Sequence, residues 1–270
     1  MKIIEKLITF IIFLLCGLFI FSIQAFIPNE FDFIYLIVIT SALFLITALV
    51  YRNRKEKYKK YTPIFYAFFI AALVNTLQWY WRGSGSSFRE ILLNIFISTI
   101  LVVIPIIILI KLSGADMGSL YLKKGNLKLG FIIGVITFLF FLITALPAAT
   151  YIFGGLNVTL ELLIILFPWI LVFIFLNALR EELWFRGLFL KKFETLLGKD
   201  SSNFLQALIF SFAHLTLPFS SFSMIYLIIT FLLGLGFGAV MQKTDSIIAS
   251  ILFHAGADIP VILAVFSSLV

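Results

Sequence analysis

Long runs of apolar residues constrain the fold of this chain more than any other feature. About 20 apolar residues cross a hydrocarbon core of ~30 Å as a helix, and such runs recur from one end of the sequence to the other. They predict an all-α, polytopic membrane helix bundle of eight to nine transmembrane helices, which forms a single integral membrane domain over residues 1–270. The predicted spans are 7–27, 33–51, 63–81, 91–110, 129–149, 168–190, 203–217, 223–241 and 246–267.

Two stretches leave the number of spans open. The run 203–217 is short for a full crossing, and residues 151–167 are compatible with a loop, an interfacial helix or part of the next span. The remaining spans fall into two groups. Residues 1–150 supply the N-terminal helices, and residues 168–267 form the predicted catalytic core because they hold the buried ionisable residues described below.

The positions of the basic residues predict the orientation in the membrane. Lys and Arg favour cytoplasmic segments. With a cytoplasmic N-terminus, every basic residue except Arg82 and Arg89 falls on that side, Arg180 and Arg186 included. The net charge of +7 then reflects topology and attraction to anionic lipid headgroups, so the bilayer is an expected partner and nucleic acid is not. A single cysteine, Cys16, excludes an internal disulfide and makes redox chemistry an unlikely role.

A small set of ionisable residues falls inside the predicted spans, where each needs a functional or structural reason. The set is Glu181, Glu182, Arg186, His214, His254 and Asp258, and it includes both histidines of the chain. At a rise of about 1.5 Å per residue, Glu181, His214 and His254 lie roughly 15, 17 and 14 Å from the cytoplasmic ends of their spans. Because three separate segments reach one depth, we predict that these side chains line a shared polar cavity.

Spacing within each helix predicts which of these groups pair. Residues four apart share a helix face, so Glu182 is expected to pair with Arg186, and His254 is expected to lie beside Asp258. Glu181 lies about 100° round the helix from Glu182, which leaves it free for chemistry or as a second partner of Arg186. Phe210, one turn before His214, is expected to pack against the imidazole.

This set of side chains suits hydrolysis by an activated water. A glutamate beside a neutral imidazole can hold water and remove its proton during attack on a carbonyl, and a second imidazole can stabilise the oxyanion. Alternatively, Glu181, His214 and His254 supply the donors of a catalytic zinc site, so a zinc cofactor stays open. Ser211 and Ser250 lie close enough in sequence to the histidines to act as nucleophiles, but no Gly-x-Ser-x-Gly motif accompanies them.

Three short motifs carry a family resemblance. Arg180-Glu181-Glu182-Leu-Trp-Phe-Arg186-Gly187 resembles the Glu-Glu-x-x-x-Arg motif of the CPBP family, the CAAX prenyl protease and bacteriocin-processing proteins, also called Abi. Phe210-Ser-Phe-Ala-His214 is similar to the family's Phe-x-x-x-His motif, and His254-Ala-Gly-Ala-Asp258 to its His-x-x-x-Asn/Asp motif. They occur in the expected order, between about Pro168 and Phe266.

The resemblance implies an intramembrane endopeptidase whose site opens toward the cytoplasm. In that family role, Glu181 and His214 activate water, His254 and residue 258 support the oxyanion, and Glu182 and Arg186 shape the site. Asn is commoner than Asp at position 258, and an ionised Asp cannot donate a hydrogen bond. Asp258 is therefore expected to be protonated, to orient His254 or to favour metal binding.

The resemblance also bears on the substrate and on rival functions. Eukaryotic relatives trim prenylated CAAX tails, whereas bacterial relatives are associated with peptide maturation or immunity to bacteriocins. The Phe-, Ile- and Lys-rich composition resembles that of a low-GC bacterium, so we expect a membrane-associated peptide or protein substrate in a bacterial cell membrane. Two alternatives stay open: a transporter whose buried His and Glu relay protons, and a peptide-binding or immunity protein without proteolysis.

Overall fold

The computed structural model describes residues 3–27, 30–81, 87–215 and 223–269 as an all-helical protein, with no strand among them. Lys2, Arg82 and the last two residues of the predicted span 203–217 lie outside these ranges. The helices are α1 Ile3–Phe21, α2 Glu30–Arg52, α3 Glu56–Lys59, α4 Thr62–Tyr80, α5 Phe88–Leu112, α6 Leu127–Ile143, α7 Ala145–Tyr151, α8 Leu160–Glu181, α9 Leu188–Leu197, α10 Lys199–Ala213, α11 Ser223–Thr244 and α12 Ile247–Ser267. A π-helical segment, Glu182–Gly187, joins α8 to α9.

Short polar side chains fix the starts of several helices. Asn126 accepts a hydrogen bond from the backbone N–H of Leu129 at the start of α6, and Thr159 accepts one from Leu162 at the start of α8. Ser246 accepts a longer one from Ile248 at the start of α12. Each cap satisfies one of the backbone donors that a helix leaves unpaired in its first turn. Two of the capped helices, α8 and α12, carry motif residues.

The chain is an integral membrane protein, but fewer helices meet the requirements of a span than predicted. Within the described ranges, six helices are long and apolar enough to cross a membrane, and seven if the bent pair α6 and α7 is one span. The predicted count of eight to nine is therefore only approximate. The predicted span 33–51 corresponds to α2, Glu30–Arg52, which has 23 residues.

The stretches whose assignment was open at the sequence level have distinct structures. The helix α7 ends at Tyr151 and α8 begins at Leu160, so residues 151–167 are divided between a connecting loop and the first turns of α8. The helical run that contains the predicted span 168–190 extends beyond it at both ends. It begins at Leu160, and the π-helical segment continues it into α9, which ends at Leu197. The short run at 203–217 corresponds to α10, which begins earlier, at Lys199, and has 15 residues.

The site region lies between two apolar cores. One core includes Phe13, Phe68 and Phe193 from α1, α4 and α9, and the other includes Ile170 and Ile259 from α8 and α12. The helix α12 packs against α6, α8 and α11 and so occupies the centre of the C-terminal half. At Gly238, α11 approaches α10 so closely that a Cβ atom would overlap the side chain of Asn203, as is typical where small residues let two membrane helices pack closely.

Candidate active site

The two adjacent glutamates lie where α8 becomes the π-helical segment. Glu181 is the last residue of α8 and Glu182 is the first residue of the segment Glu182–Gly187, all six of whose residues are buried. Segments of π-helix are rare and occur often at functional sites. Consecutive residues of a helix point about 100° apart, so the two carboxylates enter different surroundings.

Glu182 accepts hydrogen bonds at both of its carboxylate oxygens. Its Oε1 accepts hydrogen bonds from Arg186 at 2.6 Å and from Nδ1 of His254 at 2.7 Å, and its Oε2 accepts one from the Ser250 hydroxyl. The Glu182 and Arg186 side chains are both fully buried. The predicted pairing of Glu182 with Arg186 is therefore confirmed, and both carboxylate oxygens of Glu182 have partners.

Aromatic rings cover the remainder of the Arg186 guanidinium. Its central carbon lies 4.1 Å from the centroid of the Phe210 ring and 5.0 Å from that of Phe237. Such cation–π contacts stabilise a desolvated arginine. Phe210 also contacts His214, with ring centroids 4.5 Å apart, as its position one turn before His214 predicts. The same ring thus packs on both Arg186 and one of the imidazoles.

Glu181 differs from Glu182 in having one oxygen without a hydrogen bond. Its Oε1 accepts from Arg180 at 2.8 Å. Its Oε2 is buried, lacks a hydrogen-bond partner among the described residues, and lies 3.8 Å from Nε2 of His214 and 3.6 Å from Nε2 of His254. The structure thus brings together the acid and the two imidazoles that the sequence places at one depth. Their roles in catalysis stay a prediction.

The hydrogen bonds of His214 assign its tautomer. Its Nδ1 lies 2.7 Å from the carbonyl oxygen of Phe210, which can only accept, so Nδ1 carries the proton. In the neutral imidazole, Nε2 then presents a lone pair toward Glu181. Glu181 Oε2 and His214 Nε2 are therefore two acceptors separated by 3.8 Å, a spacing at which one water can donate to both.

His254 lies among three carboxylates. Its Nδ1 is bonded to Glu182, and its Nε2 is 3.5 Å from Oδ1 of Asp258 and 3.6 Å from Oε2 of Glu181. Asp258 is within reach of the imidazole, as the spacing of four residues predicts. Its other oxygen, Oδ2, accepts a hydrogen bond of 2.9 Å from Asn177, so Asp258 is held between α8 and α12.

Two polar residues of the site were missed at the sequence level. Asn177 bonds to Asp258, and Arg180 donates to Asn177 at 2.6 Å as well as to Glu181. The spacings of three and four residues between Asn177, Arg180 and Glu181 were the available signal. Arg180 and Arg186, which the rule for basic residues counts with the cytoplasmic segments, lie within the continuous helical run and are largely or fully buried, so neither is in a connecting loop. The alternative of Arg186 as partner of Glu181 is also not what the structure shows, since Arg180 fills that role.

The candidate zinc ligands were tested against their geometry. Two imidazole nitrogens and one carboxylate oxygen are the donor types of catalytic zinc, and the Glu182–His254 bond resembles the outer contacts of such ligands. However, tetrahedral zinc at about 2.0–2.1 Å from each donor places the donor atoms roughly 3.3–3.4 Å apart, a few tenths of an ångström less than the 3.6 and 3.8 Å found here. No group of three His, Cys, Asp or Glu in the described ranges has a metal-binding arrangement. Zinc therefore stays an alternative prediction, which the chelation experiment below tests.

Neither candidate serine fits the role of a nucleophile. The Ser211 hydroxyl donates to the carbonyl oxygen of Leu227 at 2.7 Å, and the Ser250 hydroxyl donates to Glu182. Among the described residues, no hydrogen bond joins either hydroxyl to an imidazole nitrogen. The polar groups that remain for chemistry are Glu181, His214, His254 and Asp258.

Two cavities adjoin these residues. A small one of about 30 Å³ is lined by His214, His254, Asp258 and Tyr226, and this is enough room for a water molecule. A larger, polar one of about 370 Å³ reaches Arg180. Its lining comes from the end of α4 and the start of α5, opposite the helix ends that carry the basic loops. Ser98 connects this cavity to the site by accepting a hydrogen bond of 2.9 Å from Arg180.

Comparison with known proteins supports the predicted resemblance. Residues 163–260 match the family described as "Type II CAAX prenyl endopeptidase Rce1-like". The matched segment extends from α8 into α12 and contains all six ionisable residues singled out from the sequence. No curated protein and no solved structure matches the chain. The resemblance to the CPBP family is confirmed.

Proposed function

Because this chain carries the CAAX protease family signature over residues 163–260, we propose that it is an intramembrane endopeptidase that hydrolyses a peptide bond with an activated water. One observation carries the proposal. The buried Oε2 of Glu181 has no hydrogen-bond partner among the described residues and faces the acceptor Nε2 of His214 across 3.8 Å, beside a cavity of water size. A water placed there donates to both atoms and directs its lone pair away from them.

Glu181 and His214 act on this water. As the water oxygen attacks the substrate carbonyl carbon, a proton passes to the Glu181 carboxylate, and His214 holds the second water hydrogen. The proton then passes to the departing amine, which completes cleavage and restores the carboxylate. Arg180 keeps Glu181 in place through the hydrogen bond to Oε1, which leaves Oε2 for the water.

His254 stabilises the oxyanion of the tetrahedral intermediate. The carboxylates of Glu182, Asp258 and Glu181, at 2.7, 3.5 and 3.6 Å, favour an imidazolium at this position by simple charge attraction. The imidazolium has a second N–H, at Nε2, that can donate to the developing oxyanion. Asp258 then acts through the charge and orientation of His254, and Glu182 with Arg186 positions the ring.

The substrate we propose is a membrane-associated peptide or protein. The family description names CAAX prenyl endopeptidases, and for this chain we favour bacterial peptide maturation or bacteriocin self-immunity over prenylated tails, on composition. The proposed setting is a bacterial cell membrane with the N-terminus in the cytoplasm. The family resemblance favours entry from the cytoplasm, and the polar cavity at Arg180 offers a route from the opposite side.

The test is peptide cleavage by reconstituted protein. The probes are a farnesylated peptide ending in a CAAX sequence, its unprenylated counterpart and a set of bacteriocin precursor peptides, with products identified by mass spectrometry. We expect Glu181→Gln to lower turnover by about 10²- to 10⁴-fold, the usual contribution of a general base. Glu161→Gln is the matched control, because Glu161 lies exposed in the first turn of the same helix.

Full turnover in a correctly folded Glu181→Gln protein would exclude Glu181 as the base. Peptide binding that survives this substitution, with no cleavage by wild type, would instead identify a binding or immunity protein. Dialysis against a chelator before the assay addresses zinc. We expect unchanged turnover, and a loss that zinc restores would replace the proposed water activation with metal chemistry.

A further inference from the structure

Lys192 of α9 is a buried cation that the proposed catalysis does not use. The residue is 8% exposed, and its Nζ has no hydrogen-bond partner among the described residues. Buried ammonium groups are costly unless an opposite charge or several acceptors accompany them. The neighbouring Lys191, by contrast, donates to the carbonyl oxygen of Gly118 and is paired with Asp245. Lys192 therefore has no anionic partner among the described residues, and an anion from outside the protein would stabilise its charge.

A cleft of about 510 Å³ meets Lys192 where the end of α2, the start of α4 and the end of α5 come together. Among the described residues that line it, the charged ones are Arg52 and Lys192, and none is acidic. Clefts of this volume are typical of small-molecule sites. The cleft thus combines room for a ligand with two positive charges.

The start of α4 adds further donors to the same cleft. Thr62 is the first residue of α4 and lines the cleft, and its Oγ1 is buried without a hydrogen-bond partner among the described residues. Tyr61, which precedes it, provides no side-chain cap for the helix. Pro63 has no N–H, and the N–H groups of Ile64 and Phe65 are bonded to the carbonyl oxygen of Tyr61, so the helix start contributes the positive end of its dipole, which favours an anion. One negatively charged ligand would satisfy all of these features, which are the Lys192 and Arg52 side chains, the Thr62 hydroxyl and the start of α4.

A neighbouring cleft of about 340 Å³ provides an internal contrast. Lys192 lines it too, together with Lys123, Lys191 and Asp116. There, Lys123 and Lys191 both pair with Asp245, and the Asp116 carboxylate accepts from the backbone N–H of Gly118. The charges of this second cleft are largely satisfied within the protein. The anion is therefore expected in the cleft that contains Arg52.

The apolar rim of the Arg52 cleft indicates what kind of anion it receives. Leu49 and Leu112 line it and are 48% and 75% exposed. They lie at the ends of two apolar helices, where a membrane protein meets the headgroup layer. A ligand with a charged head and an apolar tail fits both the rim and the buried cations. We propose that this cleft binds the phosphate group of an anionic phospholipid, with its acyl chains along Leu49 and Leu112.

The test measures lipid binding by native mass spectrometry of the detergent-purified full chain. Phosphatidylglycerol and phosphatidylcholine with identical acyl chains are titrated, and inorganic phosphate and glycerol phosphate are added as competitors. We expect phosphatidylglycerol to bind about tenfold more tightly than phosphatidylcholine, since each cation near the headgroup contributes several-fold. Lys192→Met and Arg52→Gln should each weaken this binding by about fivefold. Lys128→Met, which removes an exposed charge outside the cleft, is the matched control and should not change it.

Three results would overturn the proposal. Equal binding of the two lipids, or an equal loss in the Lys128→Met control, would show that no specific headgroup site exists. Displacement of phosphatidylglycerol by low concentrations of free phosphate would assign the cleft to a soluble anion instead of a lipid. Arg52→Gln keeps the experiment decisive if Lys192→Met alters folding, because Arg52 is on the exposed end of α2. The measurement does not depend on peptidase activity.

Discussion

The carboxylates of Glu181 and Glu182 are neighbours in the chain but occupy opposite surroundings. Around Glu182, both oxygens are bonded, to Arg186, His254 and Ser250, and the side chain is fully buried. Around Glu181, one oxygen is bonded to Arg180, and the other faces the two imidazoles without a hydrogen bond from a described residue. A single step along the helix thus separates a closed polar cluster from an open one.

The comparison separates structural from chemical roles within one motif. A carboxylate whose two oxygens both accept hydrogen bonds from buried protein groups is held by those partners, and neither oxygen is left to bind a water. A carboxylate with one free oxygen, held by an arginine at the other, can still bind a water. We infer that the Glu182 cluster holds α8 and α12 together, so that Glu181 and His254 face the same point.

The largest expected effect is on folding, when the closed cluster is opened. Glu182→Leu leaves the Arg186 guanidinium buried without its counter-ion, and removal of one partner from a buried ion pair costs about 3–5 kcal/mol. We expect the free energy of unfolding to fall by this amount, measured by denaturant titration in detergent. Glu181→Leu should cost far less, because His214 and His254 keep their own partners at Nδ1.

A double variant tests the reason for this difference. Glu182→Leu combined with Arg186→Met removes both charges and keeps apolar volume, so it should recover much of the lost stability without recovering turnover. Equal losses for Glu181→Leu and Glu182→Leu would contradict the distinction between the open and the closed carboxylate.

The sequence allowed the convergence of Glu181, His214 and His254 to be predicted because depth in a helix follows from a constant rise per residue. It also allowed the Glu182–Arg186 pair to be predicted from spacing alone. The partner of Glu181 could not be found in this way. Arg180 was counted with the loops by the rule for basic residues, and only the packing of α8 against α5 shows that it is held by Ser98.

The number of spans was harder to predict than the site. Hydropathy marks apolar runs, but it does not show where a helix bends or stops. The pair α6 and α7 bends by 58° within one apolar run, and α10 ends after 15 residues although the apolar sequence continues. The π-helical segment was equally hidden, because its residues Glu182–Gly187 have no composition that distinguishes them from an α-helix. Tertiary packing decides these features.

The next effect in size concerns His254, which contacts both Glu181 and Glu182, and its neighbour Asp258. Asp258→Asn removes one negative charge near the imidazolium but keeps an acceptor for the Asn177 amide. We expect turnover to fall by about tenfold, or about 1.4 kcal/mol of transition-state stabilisation. Asp258→Leu, which also leaves the Asn177 donor unpaired, should lose more turnover and some stability as well. Cleavage rates and thermal unfolding of both variants provide the measurement.

An increase in turnover for Asp258→Asn would give residue 258 a different role. It would mean that an amide donor at this position assists the oxyanion directly and that the charge of Asp258 is dispensable. The family pattern, in which Asn is commoner at this position, makes this the sharpest alternative. In that mechanism, His254 and residue 258 would both donate hydrogen bonds to the oxyanion, instead of His254 alone.

The smallest effect is expected for an ion pair outside the membrane. Water solvates these charges, whereas the charges of the buried Glu182 cluster depend on protein partners. Asp245, in the turn between α11 and α12, pairs with Lys123 and Lys191, and all three side chains are more than a third exposed. Partial burial alone would raise the pKa of Asp245, but the hydrogen bond from Lys123 and the charges of both lysines hold that pKa below its usual value.

A lowered pKa in the folded state means that Asp245 contributes stability above the pKa of the unfolded chain, about 3.9, and that this contribution disappears as the pH falls through the lower, folded value. At pH 7 we expect Asp245→Asn to lower the melting temperature by at most about 2 °C, since exposed pairs are screened by water and salt. Asn also tolerates the positive φ of 53° at this turn, so the backbone is not strained by the change. The difference between wild type and variant should vanish once the pH lies below the lowered, folded pKa of Asp245, or in high salt. A loss of stability as large as that for Glu182→Leu would show that the pairs of Asp245 with Lys123 and Lys191, and not the buried cluster, determine how α11 and α12 are held.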